Sequence, residues 1–210
     1  MATAVRGRSR KIMTPGPGLG FRQLILMAHR WLGLLTATTL SIAGLTGSIL
    51  VWGGQHWIRR IASPLHERLA MGRSGGQVVA ISTLLGILVV SSGLILWWRR
   101  KIVVARPGKG WWRFSFDLHH SLGILGFLLM FLLTATGVGM TITVPRPIRR
   151  MIIVSHAAVD FPLVIKFAYA LGSALFFVQA VTGIAMWWKS RQQNRVKSPL
   201  RTVDELTRTQ

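Results

Sequence analysis

Histidines are the side chains of this chain best suited to chemistry, and four of the six recur at one fixed spacing. His29 and His119 stand 90 residues apart in the sequence, and His66 and His156 stand 90 residues apart as well. The chain has no cysteine, which excludes disulfides, thiolate metal sites and iron–sulfur clusters. Any metal must therefore be held by imidazole nitrogens.

The spacing belongs to an internal repeat. Residues 29–98 match residues 119–188 without a gap, and about fifteen of the seventy aligned positions are identical. Many of the identical residues are of types that are scarce in apolar helices, which indicates a tandem duplication. Besides the histidines they include Gly33/Gly123, Thr46/Thr136, Gly47/Gly137, Arg59/Arg149, Arg60/Arg150, Gly93/Gly183 and the tryptophan pairs Trp97/Trp187 and Trp98/Trp188.

The elements that must position these residues are apolar helices. Half of the 210 residues are hydrophobic and only 15% are charged, which favours lipid over water as the solvent. Four apolar runs, residues 31–52, 78–98, 121–144 and 161–188, reach the roughly 20 residues that cross hydrocarbon. We expect an all-α membrane protein, a four-transmembrane-helix bundle made of two tandem repeated helical hairpins with pseudo-twofold symmetry along the membrane normal.

The expected organisation follows from these runs. The hairpins occupy residues 21–98 and 117–188, joined by a cytoplasmic linker at 99–116. A basic tail at 1–20 and a polar, flexible tail at 189–210 complete the chain.

The net charge of +21 predicts topology rather than nucleic-acid binding, because the basic residues lie at helix ends and form no single patch. With the N-terminus inside, eighteen of the 26 Lys and Arg residues fall on the cytoplasmic side. We therefore expect both termini to be cytoplasmic, in a multi-pass protein of the bacterial cytoplasmic membrane. The basic side would attract anionic lipid or an acidic partner.

Topology and repeat together place the histidines at two depths. His29 and His119 share the inner level and are called the inner pair; His66 and His156 share the outer level and are called the outer pair. Two facing imidazoles are the axial ligands of a six-coordinate haem iron, so we predict two bis-histidine haem b groups. A single interfacial histidine is more often a polar end group, but matched pairs in a membrane favour function. His120 is the reserve inner ligand. His56 is either an interfacial residue or a reserve outer ligand.

Glycines and arginines extend the predicted sites. Gly33 and Gly123 follow the inner ligands by four residues on the same helix face, where a side chain would crowd a porphyrin. The other repeated glycines serve either helix packing or the porphyrin. Haem propionates are suitable partners for four outer arginines, although arginines at an interface also reach lipid headgroups. These are Arg59, Arg60, Arg149 and Arg150.

Several strings resemble the PepSY-associated transmembrane helix family, which includes iron-regulated membrane proteins and ferric-siderophore reductases. They are His29-Arg-Trp-Leu-Gly33, Leu65-His66-Glu, Asp117-Leu-His119-His120-Ser-Leu-Gly123 and the span ends at Trp97-Trp98 and Trp187-Trp188. The resemblance implies a di-haem bundle that passes electrons from the cytoplasmic side to an outer acceptor. The soluble PepSY domains of the family are missing, since about 25 residues join the first two spans and fewer than 20 join the last two.

The leading hypothesis is a di-haem b-type membrane cytochrome. It would move electrons from a cytoplasmic or quinol donor to an extracytoplasmic acceptor, with ferric iron complexes as the candidate that the resemblance implies. The chain would be a membrane-bound reductase or its electron-transfer subunit, with donor and acceptor proteins and a larger membrane complex as partners. The alternatives are a structural or assembly subunit without haem and a metal-ion transporter. The transporter is disfavoured because no carboxylate lies inside a predicted span.

Overall fold

The structure, a computed structural model, describes residues 20–53, 56–98, 101, 103–104, 106–158 and 160–208. All regular structure in these ranges is helical, with no strand. The helices are α1 (Phe21–Leu50), α2 (His56–Arg68), α3 (Gly72–Trp98), α4 (Trp111–Leu125), α5 (Phe127–Thr141), α6 (Arg146–Ala157) and α7 (Leu163–Arg208), with one 3₁₀ turn at Pro107–Lys109.

Three of these helices are long and apolar enough to cross a membrane: α1, α3 and the Leu163–Gln193 part of α7. Helices α4 and α5 pass the same test together, although they are bent by 66° at their junction. Only 11% of the most apolar stretch of α3 is buried inside the protein, so most of its apolar surface needs lipid around it. The prediction of a multi-pass helical membrane protein is confirmed.

The bend lies at Gly126, inside the run that the sequence predicts as one continuous span. A Cβ at this position would overlap the end of the Leu175 side chain of α7 and would lie 3.1 Å from the Leu122 carbonyl oxygen. The repeat-related position in α1 is Thr36, which is buried in an unbroken helix and donates its hydroxyl to the Leu32 carbonyl at 2.9 Å. The two halves therefore differ in the shape of their first span.

Two segments contain more helix than the sequence indicates. Helix α4 already begins at Trp111, inside the linker predicted at 99–116. This extension brings Asp117 into a helix of the bent pair, where it is fully buried, so the expectation of spans without carboxylates does not hold there. The tail predicted to be flexible instead continues α7 through Arg208.

The outer segments also form helices rather than plain loops. Helix α2 packs against α1 and α3, and α6 packs against α5. Both short helices carry basic and apolar residues together, as is typical of helices at a membrane surface. Each one ends within two residues of an outer-pair histidine.

Helix packing relies on small and hydroxyl-bearing residues. Helices α1 and α7 approach closely at Gly44, where a Cβ would overlap the Ser173 backbone carbonyl and lie 3.0 Å from Phe176 Cβ. Small residues let membrane helices approach closely and gain dispersion contacts that lipid cannot replace. Buried hydroxyls of the spans include Thr36, Thr39, Thr46, Ser82, Thr134, Ser173 and Thr182.

Replacing Gly44 should therefore separate α1 from α7. We expect Gly44→Ala to lower the free energy of unfolding by about 1–3 kcal/mol, because the obstructing atom belongs to the backbone and cannot rotate away. Unfolding in mixed micelles measures the effect. Gly76→Ala is the matched control, since its Cβ would meet nothing closer than 3.7 Å. Equal stability of both variants would contradict the close packing at Gly44.

Candidate functional site

The inner pair consists of one histidine on α1 and one on α4. The imidazole centroids of His29 and His119 are 6.4 Å apart, and the rings are nearly perpendicular at 86°. Both rings line a cavity of about 380 Å³, whose wall is mainly apolar and includes Gly33 and Gly123. The two residues of the predicted inner pair thus face each other across space that a planar group could enter.

Hydrogen bonds determine which nitrogen of each inner histidine is free. His29 Nδ1 lies 3.1 Å from the Val89 carbonyl and 2.9 Å from Ser92 Oγ, and His119 Nδ1 lies 2.9 Å from Thr182 Oγ1. Both hydroxyls donate their own proton to carbonyls of their helices, so they accept from the imidazoles. Each Nδ1 therefore carries the hydrogen, which leaves the lone pair on Nε2 for a ligand.

The outer pair is built from the two short helices. His66 of α2 and His156 of α6 have ring centroids 5.9 Å apart, with an angle of 46° between the rings. Neither helix qualifies as a span, and the pair lies at the opposite end of the spans from the inner pair. The structure therefore brings together both histidine pairs that the repeat predicts, at two levels of the protein.

The outer histidines are oriented in the same way as the inner ones. His66 Nδ1 donates to the Ala43 carbonyl at 2.8 Å and lies 3.3 Å from Thr46 Oγ1. His156 Nδ1 lies 3.0 Å from Thr136 Oγ1. Burial lowers the pKa of His66 and lowers the pKa of His156 to about 4. Both rings are therefore neutral at pH 7, which is the form that binds a metal.

Each imidazole lies against a glycine of a neighbouring helix. A Cβ on Gly93 would lie 3.4 Å from His29 Cε1, and one on Gly183 would lie 3.5 Å from His119 Cε1. Two further repeated glycines lie against the outer histidines in the same way: a Cβ on Gly47 would lie 3.1 Å from His66 Cε1, and one on Gly137 would lie 3.5 Å from His156 Cε1. These four glycines provide room for the histidine rings.

The contacts recur at the spacing of the repeat. Ser92 and Thr182 serve the inner pair, and Thr46 and Thr136 serve the outer pair. Sequence reasoning missed the role of these hydroxyls, although alignment of the two halves shows a Ser or Thr at each matched position. An aligned hydroxyl one residue before an aligned glycine was the available signal.

The reserve histidines lie elsewhere. His120 Nδ1 donates to the Phe116 carbonyl of its own helix at 2.8 Å, and its ring lies 4.1 Å from that of Phe116. It lines the cavity, but His119 is the residue paired with His29 across it. His56 is exposed at the first residue of α2.

The four outer arginines are exposed on the two short helices. Arg59 and Arg149 each precede an outer-pair histidine by seven residues, which places them on the same helix face as that histidine. Arg60 and Arg150 lie about 100° further around their helices. Their predicted role toward propionates stays a prediction, and the helix geometry favours Arg59 and Arg149.

The donor sets suit a metal whose remaining ligands come from elsewhere. Among the described residues, no group of three or more His, Cys, Asp or Glu is placed to hold a metal ion. A bare zinc or calcium ion needs more protein ligands than two imidazoles supply. Two metal–nitrogen bonds of about 2 Å in line separate the ring centroids by about 6 Å. The separations of 6.4 and 5.9 Å therefore fit an axial pair on one metal centre.

The fold and the site define a multi-pass helical membrane protein with two buried pairs of facing imidazoles. The family described as PepSY-associated TM region matches residues 53–160, about half of the chain. The chain belongs to this family. No curated protein and no solved structure matches it significantly.

The hydroxyl of Thr182 provides a test of the inner site. We expect Thr182→Val to weaken retention of the predicted inner haem by about 10–100-fold, the usual cost of losing a group that orients a metal ligand. Haem content per chain after dilution measures the loss. Thr134→Val is the control, because Thr134 is equally buried and bonds only to carbonyls of its own helix. An equal loss in both variants would contradict an orienting role for Thr182.

Proposed function

We propose that this protein is a di-haem b-type membrane cytochrome that moves electrons across the membrane. The observation that carries the proposal is the geometry of the two histidine pairs, with facing rings 6.4 and 5.9 Å apart and Nδ1 atoms engaged with the protein. His29 and His119 would bind one haem, and His66 and His156 the other. Haem iron, when bound, supplies a reversible one-electron change.

The chain contributes ligation, orientation and exclusion of water. Nδ1–H bonds hold each imidazole in the tautomer that presents Nε2, and four glycines admit the rings between the helices. Apolar residues of the cavity around the inner pair keep the dielectric low. Because two imidazoles would hold each haem, direct chemistry on a substrate at the iron would be disfavoured, and electrons would be exchanged at an exposed edge of the haem.

The architecture that supports this function is a pseudo-twofold bundle of four spans, with the bent α4–α5 pair as the third. Contacts of α1 with α3 and α7 correspond to those of the α4–α5 pair with α7 and α3. The charge distribution favours both termini on the cytoplasmic side of a bacterial inner membrane. The outer pair would then lie on the extracytoplasmic side, and the inner pair would be closer to the cytoplasm.

With this topology, we propose that electrons pass from the cytoplasmic side to the outside. A cytoplasmic protein or a membrane quinol would donate near the inner pair, and an acceptor outside would be reduced near the outer pair. Exposed arginines on α2 and α6 make that surface attractive to anionic acceptors. Ferric iron complexes are the acceptor class we propose, and a partner subunit would supply what the short outer segments lack.

The reduced-minus-oxidised visible spectrum of the purified protein tests the proposal. We expect a bis-histidine b-type spectrum with two haems per chain. His119→Ala should remove one haem, whereas His120→Ala should keep both, because only His119 faces His29. At the other level, His156→Ala should remove one haem and His56→Ala should keep both.

The two alternative functions predict different visible spectra. A structural or assembly subunit would purify without colour, and a metal-ion transporter would contain metal without a Soret band. Either result in a folded wild-type protein would reject the cytochrome proposal. Loss of the inner haem from His120→Ala alone would reject His119 as its ligand.

A further inference from the structure

The cavity around the inner pair has unlike side chains on α1 and α4, at positions separated by the same 90 residues as the paired histidines. Arg22 and Arg30 of α1 line it, and their counterparts 90 residues later, Trp112 and His120 of α4, line it as well. The ligand histidines are identical at this spacing, whereas these residues near them differ. The α1 side of the cavity is cationic, and the α4 side is aromatic.

The two arginines form an exposed part of the cavity wall. Both are exposed, whereas His29 on the same helix is half-buried. Side chains on a helix lean toward its N-terminus, and α1 and α4 both start at this end. The guanidinium groups therefore lie between the apolar cavity and the surface.

Neither arginine has an acidic partner within the described residues, where the ion pair found joins Arg113 to Asp117. The rest of the cavity wall is apolar or uncharged apart from its histidines. A ligand that matches this cavity has a large apolar body and an anionic edge that stays near water. Arginine binds such an edge best when it is a carboxylate, because the guanidinium fork donates two parallel hydrogen bonds.

We propose that Arg22 and Arg30 bind the carboxylates of the group held by the inner pair, so that its propionate edge faces the α1 side of the cavity mouth. This inference rests on the proposed function, since haem is the group whose apolar ring and two carboxylates match the cavity. It adds two binding residues and assigns one orientation of the haem.

The test compares the double variant R22Q/R30Q with the control K101Q/R106Q in the full-length, haem-loaded protein. The control also removes two positive charges, at exposed residues outside the cavity wall in the segment that joins α3 to α4. In R22Q/R30Q we expect one of the two haems to transfer to a scavenging globin at least about ten times faster, as a lost charge-assisted hydrogen bond implies. The midpoint potential of that haem should fall, because nearby positive charge favours the reduced state.

A second measurement reads the carboxylates themselves. Redox-induced infrared difference spectra with haem labelled by carbon-13 in its propionates should show shifted carboxylate bands in R22Q/R30Q and unchanged bands in K101Q/R106Q. Unchanged bands, potential and transfer rate in R22Q/R30Q would overturn the inference. So would unchanged haem properties combined with weaker binding to phosphatidylglycerol vesicles, which would assign the arginines to lipid headgroups. A wild-type protein without haem would instead reject the proposed function itself.

Discussion

An imidazole buried between apolar helices must have its N–H bonded, because an unpaired polar group costs several kcal/mol away from water. The four paired histidines meet this constraint in one way, with Nδ1 directed at a hydroxyl of another helix. That hydroxyl has already given its proton to its own helix, so it can only accept. One local arrangement thus sets the tautomer, the ring orientation and the atom left for a ligand.

The rest of the packing follows from this arrangement. A hydroxyl on one helix can reach an imidazole on another only if the backbones approach closely, and the adjacent glycine allows this approach. Thr182 and Gly183 act together on His119, as Thr46 and Gly47 do on His66. Helices α2 and α6 position the outer histidines, since a plain loop would not hold them at a fixed place against the spans.

Much of this could be predicted from the sequence, because hydropathy and a fixed repeat are strong signals. Hydropathy predicts the spans, and the repeat predicts both histidine pairs. The structure brings the two members of each pair together. The bend at Gly126 could not be predicted, because hydropathy reports how apolar a run is and not whether its helix is straight. The burial of Asp117 was missed for a related reason, since hydropathy begins the span at residue 121 whereas the helix begins at Trp111.

The departures from the repeat have a physical consequence for any planar group bound between paired histidines. In a site with true twofold symmetry, the group could bind in two orientations, related by the axis, with equal free energy. The cavity has arginines on one side and a tryptophan and a histidine on the other. The two orientations of a bound group therefore differ in free energy. A difference of about 1.4 kcal/mol already gives a tenfold preference, and one charge-assisted hydrogen bond provides about that much. Duplication can therefore supply matched ligands, while substitutions at the neighbouring positions select a single bound state.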